Sequence, residues 1–586
     1  MDLLIRFLRR RAGNVALMLA ILSLVPRGAA VSAQGTEQDD LRSEPQVVCP
    51  KTRESGPTAW RLEGNERVNA MRGSIAETLS AVEVRWRGLS GELQGFRAGA
   101  DYEFIYARDT STINPMAQYY YSLPVLARPV EEFLQLQYDA ESGDPEDRVW
   151  VRPTQAGAVS GILGPTPVAE KTLVTSDEET SLIHMAYVAY RAGAGPGWLR
   201  EQQAGKPRIQ RLNDAMGWLY TQRMVPGLGL IKRGHTTDWG DVEVGQGLAS
   251  GPAMPEPREW TASIFDQAWT YRALMELYEM NRAAQQDQMA EIQLARARAL
   301  RQASAERLWQ PEKGFFRTHV HLPPKTHEFD EDGMVSIANA VAVYSGLAGP
   351  TERGPIFRVL EQARQAAGAR KAGLSLYPTY PQGFFDYPQM QPGRYQNGAV
   401  WDWWGGIQIS AEFWNGHSAL ARQHLDLAAA DWARQGGSVL EWQDVHTGQN
   451  GGSAAYAGAA STMGEGIVSG LFGVELWLEG FNISSRLGAQ NAAIHVNHPP
   501  SGCWLDYWQT YGEEAIVLEW DTNHTAPGRI RVLLADRSRA ERTLVDGKVV
   551  PTTLESLGED SYLLVGEPVP PGKHRLEIRL KPKGLL

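Results

Sequence analysis

Between about residues 114 and 477, apolar side chains return every three or four positions in one segment after another, and past about residue 485 that period stops. A three-to-four period marks amphipathic helices. Ten stretches carry it: 114–136, 177–192, 209–223, 262–280, 285–308, 335–347, 355–367, 399–413, 417–435 and 455–477. Pro124 is expected to kink the first. Some connectors are short, such as 346–354, while 225–260 and 373–396 are long and rich in Gly, Pro and aromatics. Long loops without regular structure are uncommon unless they serve a function. Short loops at one end and long loops at the other describe helical hairpins set in a ring. Beyond residue 485 the chain turns to short alternating or β-branched runs (AAIHVNH, CWLDYWQTY, AIVLEWD, RIRVLLAD, YLLVGE, HRLEIRLK), parted by Gly, Pro, Asn and Asp. These read as strands of a small antiparallel β-sandwich. A chain of 586 residues also exceeds what one ordinary core supports. The expected division is 1–33 as a signal peptide, 34–66 as a polar leader or linker, 67–482 as a mainly α domain and 483–586 as the β-sandwich.

The N-terminal reading rests on Arg6 and Arg9 to Arg11, a short apolar run over 15–25, and Val31-Ser32-Ala33 before Gln34. The apolar run is too short to cross a bilayer and has the layout of a secretory signal. Export to the periplasm or medium is therefore expected, with no membrane span after cleavage. The paired arginines invite a twin-arginine reading, which the residues after them do not support. A net charge of -11, with no Lys/Arg-rich run in the mature part, argues against nucleic acid and anionic membranes. Two cysteines, Cys49 and Cys503, make neither a disulfide scaffold nor a Cys-rich metal site, and whether they pair stays open.

The chemistry concentrates in two acidic, aromatic stretches. His235 to Gly245 reads HTTDWGDVEVG and places Asp238 and Asp241 on either side of Trp239. Two hundred residues on, Glu441 stands beside Trp442 in LEWQDVHTGQNGG. Hydrolysis of a glycosidic bond needs one carboxyl that gives a proton to the leaving oxygen and another that activates water. Flat indole faces suit sugar C–H faces, and 19 Trp and 20 Tyr residues, many in Gly-rich loops, fit a carbohydrate surface. Taken singly, each stretch is equally a solvated turn beside a core aromatic.

Four segments in order give a more specific likeness. Tyr106-Ala107-Arg108-Asp109-Thr110, Asp238-Trp239-Gly240-Asp241-Val242-Glu243-Val244-Gly245, Tyr395-Gln396-Asn397-Gly398-Ala399-Val400-Trp401 and Glu441-Trp442-Gln443-Asp444 resemble motifs of the six-hairpin glycosidases. The resemblance is to amylo-α-1,6-glucosidases and glycoside hydrolase family 63. It implies an (α/α)6 barrel followed by the β-sandwich, and hydrolysis of an α-linked oligo- or polysaccharide with inversion. By the same likeness Asp241 is the general acid and Glu441 the general base. Asp238, which has no counterpart in those motifs, is the fallback acid or a neighbour that tunes it. Arg108, Asp109, Trp239, Asn397, Trp401 and Trp442 would hold the sugar. Leu440 and Val445 depart from the family 63 pattern around Glu441. A polysaccharide lyase on a helical barrel, or a carbohydrate-binding protein that has lost catalysis, are the alternatives. A lyase would use a Tyr or His base and tolerate loss of Glu441.

No cofactor or metal is expected. His235, His319, His321 and His446 are scattered along the chain, and no zinc-protease, phosphate-loop or dinucleotide motif is present. The histidines are read as structural or sugar-facing, and oligomeric state is left open.

Overall fold

The structure, a computed structural model, describes residues 56–89, 91–137, 157–165, 174–245, 247–248, 257–536 and 539–581. The expected signal peptide and Cys49 lie outside the described residues; Cys503 is disulfide-bonded. Twelve α-helices of seven residues or more form the body of the described chain. They are α1 Glu66–Val82, α2 Ala107–Ala117, α3 Leu123–Leu136, α4 Glu178–Ala189, α5 Arg208–Trp218, α6 Ile264–Ala283, α7 Asp287–Arg307, α8 Ala338–Tyr344, α9 Pro350–Ala366, α10 Asp402–Trp414, α11 Ser418–Arg434 and α12 Ala457–Glu465. Among the described residues no helix is long and apolar enough to cross a membrane.

Packing sorts these helices by parity. The even-numbered ones close a circuit, α2 on α4, α4 on α6, α6 on α8, α8 on α10, α10 on α12 and α12 back on α2. The odd-numbered ones lean on that circuit: α1 on α12, α3 and α5 on α4, α7 on α6, α9 on α8, α11 on α10. Burial follows the same division. Every residue of α8 and α12 is buried. In contrast, α7 buries only Ala290, Gln293, Ala297, Leu300 and Ser304, one stripe at alternating spacings of three and four. Glycines let the circuit close tightly. A side chain at Gly406 of α10 would run into the Thr462 backbone of α12, and one at Gly464 would press on Met116 of α2.

Local chemistry sets the boundaries. Asn65 caps α1 by accepting from the Val68 N–H at 3.2 Å, and Ser263 caps α6 through the Asp266 N–H. The stretch 114–136 is two helices, not one kinked helix. Proline lacks an N–H and is preorganised for a first turn, so Pro124 opens α3, while α2 ends at Ala117. The segment 455–477 likewise divides. After α12 and a wider π-helical turn over Gly466–Leu471, Gly473 takes φ +69 and the chain enters the strand Val474–Trp477. At Gly473 a Cβ would meet the Ser484 carbonyl, so glycine is required there.

The C-terminal region is two sheets. The seven-stranded one runs Ala59–Leu62, Ala492–His498, Cys503–Tyr511, Ala515–Thr522, His574–Leu580, Ala540–Val545 and Lys548–Val549. Its edge strand 59–62 comes from within the segment read as a leader and pairs Ala59 with His495. The second sheet orders Val474–Trp477, Gly480–Ser485, Gly528–Leu533, Asp560–Val565 and Thr552–Leu557. One of its pairings, Phe481 with Gly528, is parallel, unlike the all-antiparallel arrangement expected. Alternate residues of Ala492–His498 are buried, and the inward set joins one continuous hydrophobic core with the helices.

Candidate active site

The site residues lie in the first turns of even-numbered helices or on the segments that lead into them. Arg108 and Asp109 open α2, Asp177 precedes α4, Asp238 and Asp241 lie on the loop into α6, Gln396 and Asn397 before α10, and Glu441 before α12. The strand Leu440–Gln443 pairs with Asn450–Ala454, and Val400 bridges to Gln443, tying the α10 and α12 loops together.

Three carboxyls meet there. Glu441 is buried, its Oε1 taking the Tyr102 hydroxyl at 3.0 Å and its Oε2 the Ser453 N–H at 2.7 Å. Burial pushes its pKa up to about 7, with the nearby charges of Asp109 and Asp241 adding to the rise and the two donors opposing it. Asp109 accepts the Tyr456 hydroxyl at 2.8 Å. Burial raises its carboxyl to about 6 against the pull of Tyr456 and Arg108, and Asp241 contributes upward. Asp241 is partly exposed; the Gln396 amide donates to its Oδ1 at 2.6 Å and accepts its backbone N–H at 3.3 Å. The charges of Asp109 and Asp241 thus both reach Glu441, and those of Asp241 and Arg108 reach Asp109.

The other expected contacts fall elsewhere. Arg108 makes two hydrogen bonds to Asp177, at 2.5 and 2.9 Å. Burial alone would raise Asp177; the Arg108 pair overrides it and holds the carboxyl below its usual range. Asp238 is 1 % exposed, with φ +97. Burial holds its carboxyl well above the usual range despite Ser336 and Arg233. Arg233, fully buried, donates to the Asp238 carbonyl at 2.6 Å and to the Gly240 carbonyl, fixing this loop from beneath. Asn397 is buried and its amide is taken up by Tyr380 N–H and by the Tyr380 and Met390 carbonyls. The amide that reaches the carboxyl is its neighbour Gln396. Trp239 stands edge-on to Trp401 and Trp404, at 5.1 and 5.0 Å between centroids, in the core. Trp401 donates its indole N–H to the Tyr395 carbonyl at 2.9 Å. Trp442 is buried edge-on to Tyr395.

Tyr102 and Tyr456 donate to Glu441 and Asp109, and Tyr387 and Tyr395 stand within reach of the charges of Asp241 and Glu441; none of the four was expected as a site residue. Tyr395 adopts φ +45, so its place in the Tyr-Gln-Asn-Gly turn was the one available hint. Gly452, at φ +70, leaves room for Glu441, whose carboxyl would collide with any side chain there. Gly452→Ala is expected to cost about 1–3 kcal/mol by overpacking, read as a lowered midpoint in chemical unfolding. Unchanged stability would mean that the Glu441 carboxyl has room to move.

No family model and no curated protein matches this sequence. Its fold does match solved structures. A family 78 rhamnosidase of Bacillus sp. GL1 superposes with TM-score 0.55 at 13% identity over 77% of this chain and 40% of that one. The α-L-rhamnosidase from Dictyoglumus thermophilum gives 0.57 at 11% identity over 90% and 50%. A family 63 mannosylglycerate hydrolase from Thermus thermophilus gives 0.45 at 17% identity over 67% and 99%. The chain spans half or less of the length of these rhamnosidases. It therefore shares a fold with glycoside hydrolases.

Proposed function

We propose that this protein is a glycoside hydrolase of the six-hairpin, (α/α)6-barrel type that cleaves an α-linked sugar with inversion. The closed circuit of even-numbered helices supports the barrel reading. The observation that carries the catalytic reading is that Glu441, Asp241 and Asp109, brought in by three separate hairpins, lie near enough for their charges to interact. Asp241, partly exposed and held by Gln396, gives its proton to the leaving oxygen. Glu441, with a donor fixing each oxygen, takes a proton from the attacking water. Asp109 and the surrounding tyrosine hydroxyls accept from and donate to sugar hydroxyls. Asp238, sealed beneath the loop, takes no part in proton transfer. The matched folds make α-L-rhamnosides a first substrate class to test, beside α-mannosides and α-glucosides.

The lyase alternative loses ground on the tyrosines. Burial and the neighbouring carboxylates push Tyr102 above its ordinary value, and burial does the same to Tyr456. They stay protonated and donate, where a lyase base must take a proton.

The pH profile tests the assignment of Glu441. A base works ionised, and Glu441 ionises as pH rises through about 7. The value of kcat/KM is expected to climb about tenfold per unit below that point and to fall again only where the general acid loses its proton. An acid at the same position would give the opposite slope. A profile that only falls through neutral pH would make Glu441 the proton donor.

A further inference from the structure

Three histidines from two distant stretches of the chain, His235, His321 and His327, come together in space, with His319 beside them. The strand Arg233–Gly234 pairs with Trp260–Ser263, which pairs with His319–Leu322, setting Thr261 opposite His321. His235 follows the first strand. His327 and Glu331 are four residues apart on the segment after the third. The His321 Nε2 lies 2.7 Å from Glu331 Oε2 and 3.3 Å from His327 Nε2. The Nε2 atoms of His235 and His327 each lie 3.7 Å from Glu331 Oε1. One ligand atom from each of the four residues falls within 4.8 Å of all the others. The His235 ring is fully buried, and its Nε2 has no hydrogen-bond partner.

We propose that His235, His321, His327 and Glu331 hold one divalent transition-metal ion of the zinc class in a closed, four-coordinate site. Three imidazole nitrogens and one carboxylate are a donor set that such ions accept. Bonds of about 2.0–2.2 Å in a tetrahedron place ligand atoms roughly 3.3–3.6 Å apart, and the observed separations bracket that range. An outer shell is also present. Glu259 Oε2 lies 3.1 Å from His235 Nδ1, which leaves Nε2 to face the ion, and Lys325 anchors Glu259 at 2.7 Å. The Tyr380 hydroxyl donates to Glu331 Oε1 at 2.8 Å. Partners of this kind orient metal ligands and fix the ring tautomer. Four protein ligands leave no open position, so the ion is structural. It ties the start of the His235–Gly245 loop, which carries Asp241, to the segment after the strand His319–Leu322.

Metal content decides the matter. Untagged full-length protein, dialysed against metal-free buffer, is expected to carry about one zinc per chain by plasma mass spectrometry. The His321→Ala/His327→Ala double variant is expected to carry none. Zinc-stripped wild type refilled with Co2+ is expected to show the visible bands of a tetrahedral site. A chelator is expected to lower the wild-type melting midpoint, and added Zn2+ to restore it. Tyr380→Phe removes only the outer partner and is expected to weaken zinc roughly ten- to a hundredfold in competition with a chromophoric chelator. Wild type that holds and takes up no more zinc or cobalt than the double variant overturns the proposal. Should the double variant not fold, a wild-type midpoint indifferent to chelator and Zn2+ overturns it instead.

Discussion

Glu441→Gln is expected to lower turnover of an α-glycoside by at least about a hundredfold, and Asp241→Asn by a similar factor. Both changes keep the shape of the side chain and remove its proton chemistry. Glutamine at 441 keeps one oxygen that accepts the Ser453 N–H, and its amide can donate to the Tyr102 hydroxyl oxygen, so the pocket stays formed. Binding of substrate should persist within a few-fold, leaving the loss in kcat rather than KM. Asp238→Asn is the contrasting case, since its carboxyl sits beneath the loop and takes no part in the proposed transfer. Near-normal turnover in Glu441→Gln on a confirmed substrate would place the base elsewhere. A Tyr or His base, with activity surviving at 441, would revive the lyase alternative.

The largest stability effect is expected from Lys371→Met. The Lys371 ammonium is buried and sits 2.7 Å from Asp402 Oδ2 at the start of α10 and 2.6 Å from Asp431 Oδ2 in α11. It joins an inner helix to the outer helix packed on it. Burial alone would raise Asp431, but Lys371 and Arg434 hold it below its usual range. Removing the lysine leaves two buried carboxylates facing each other, a loss of about 3–5 kcal/mol. The first transition in urea unfolding measures it. The sign with pH follows from the depressed value. The stabilisation is present above the ordinary aspartate range and fades as pH falls through the lower folded value. The gap between wild type and variant should therefore narrow in acid. A gap that stays constant with pH would mean that the contribution is packing alone.

The helical body was legible because buried helices leave a period, and the β-rich tail because strands leave another. Boundaries were less so. Pro124 kinks or starts a helix with the same chemistry, and only tertiary packing chose the second. Loops carry no period, so the site was legible only as motifs. Those brought Arg108, Asp109, Asp241 and Glu441 to one place, yet the Tyr395-Gln396-Asn397 turn did not reveal which amide turns inward. Nor did the loop around Trp239 reveal which aspartate is sealed in, because that depends on Arg233 and on φ +97 at Asp238. The histidine cluster was hidden for a related reason. His235 and His321 are far apart in the chain, and only the pairing through Trp260–Ser263 brings them together.

Proton NMR of the first-formed sugar distinguishes an inverting pair made of Asp241 and Glu441 from a retaining one. The reaction would be run on α-linked aryl glycosides of L-rhamnose, D-mannose and D-glucose. Aryl release is expected from at least one of them, with the β-anomer of the free sugar appearing first and mutarotating later. An α-anomer appearing first, or no cleavage of any of the three, would contradict it.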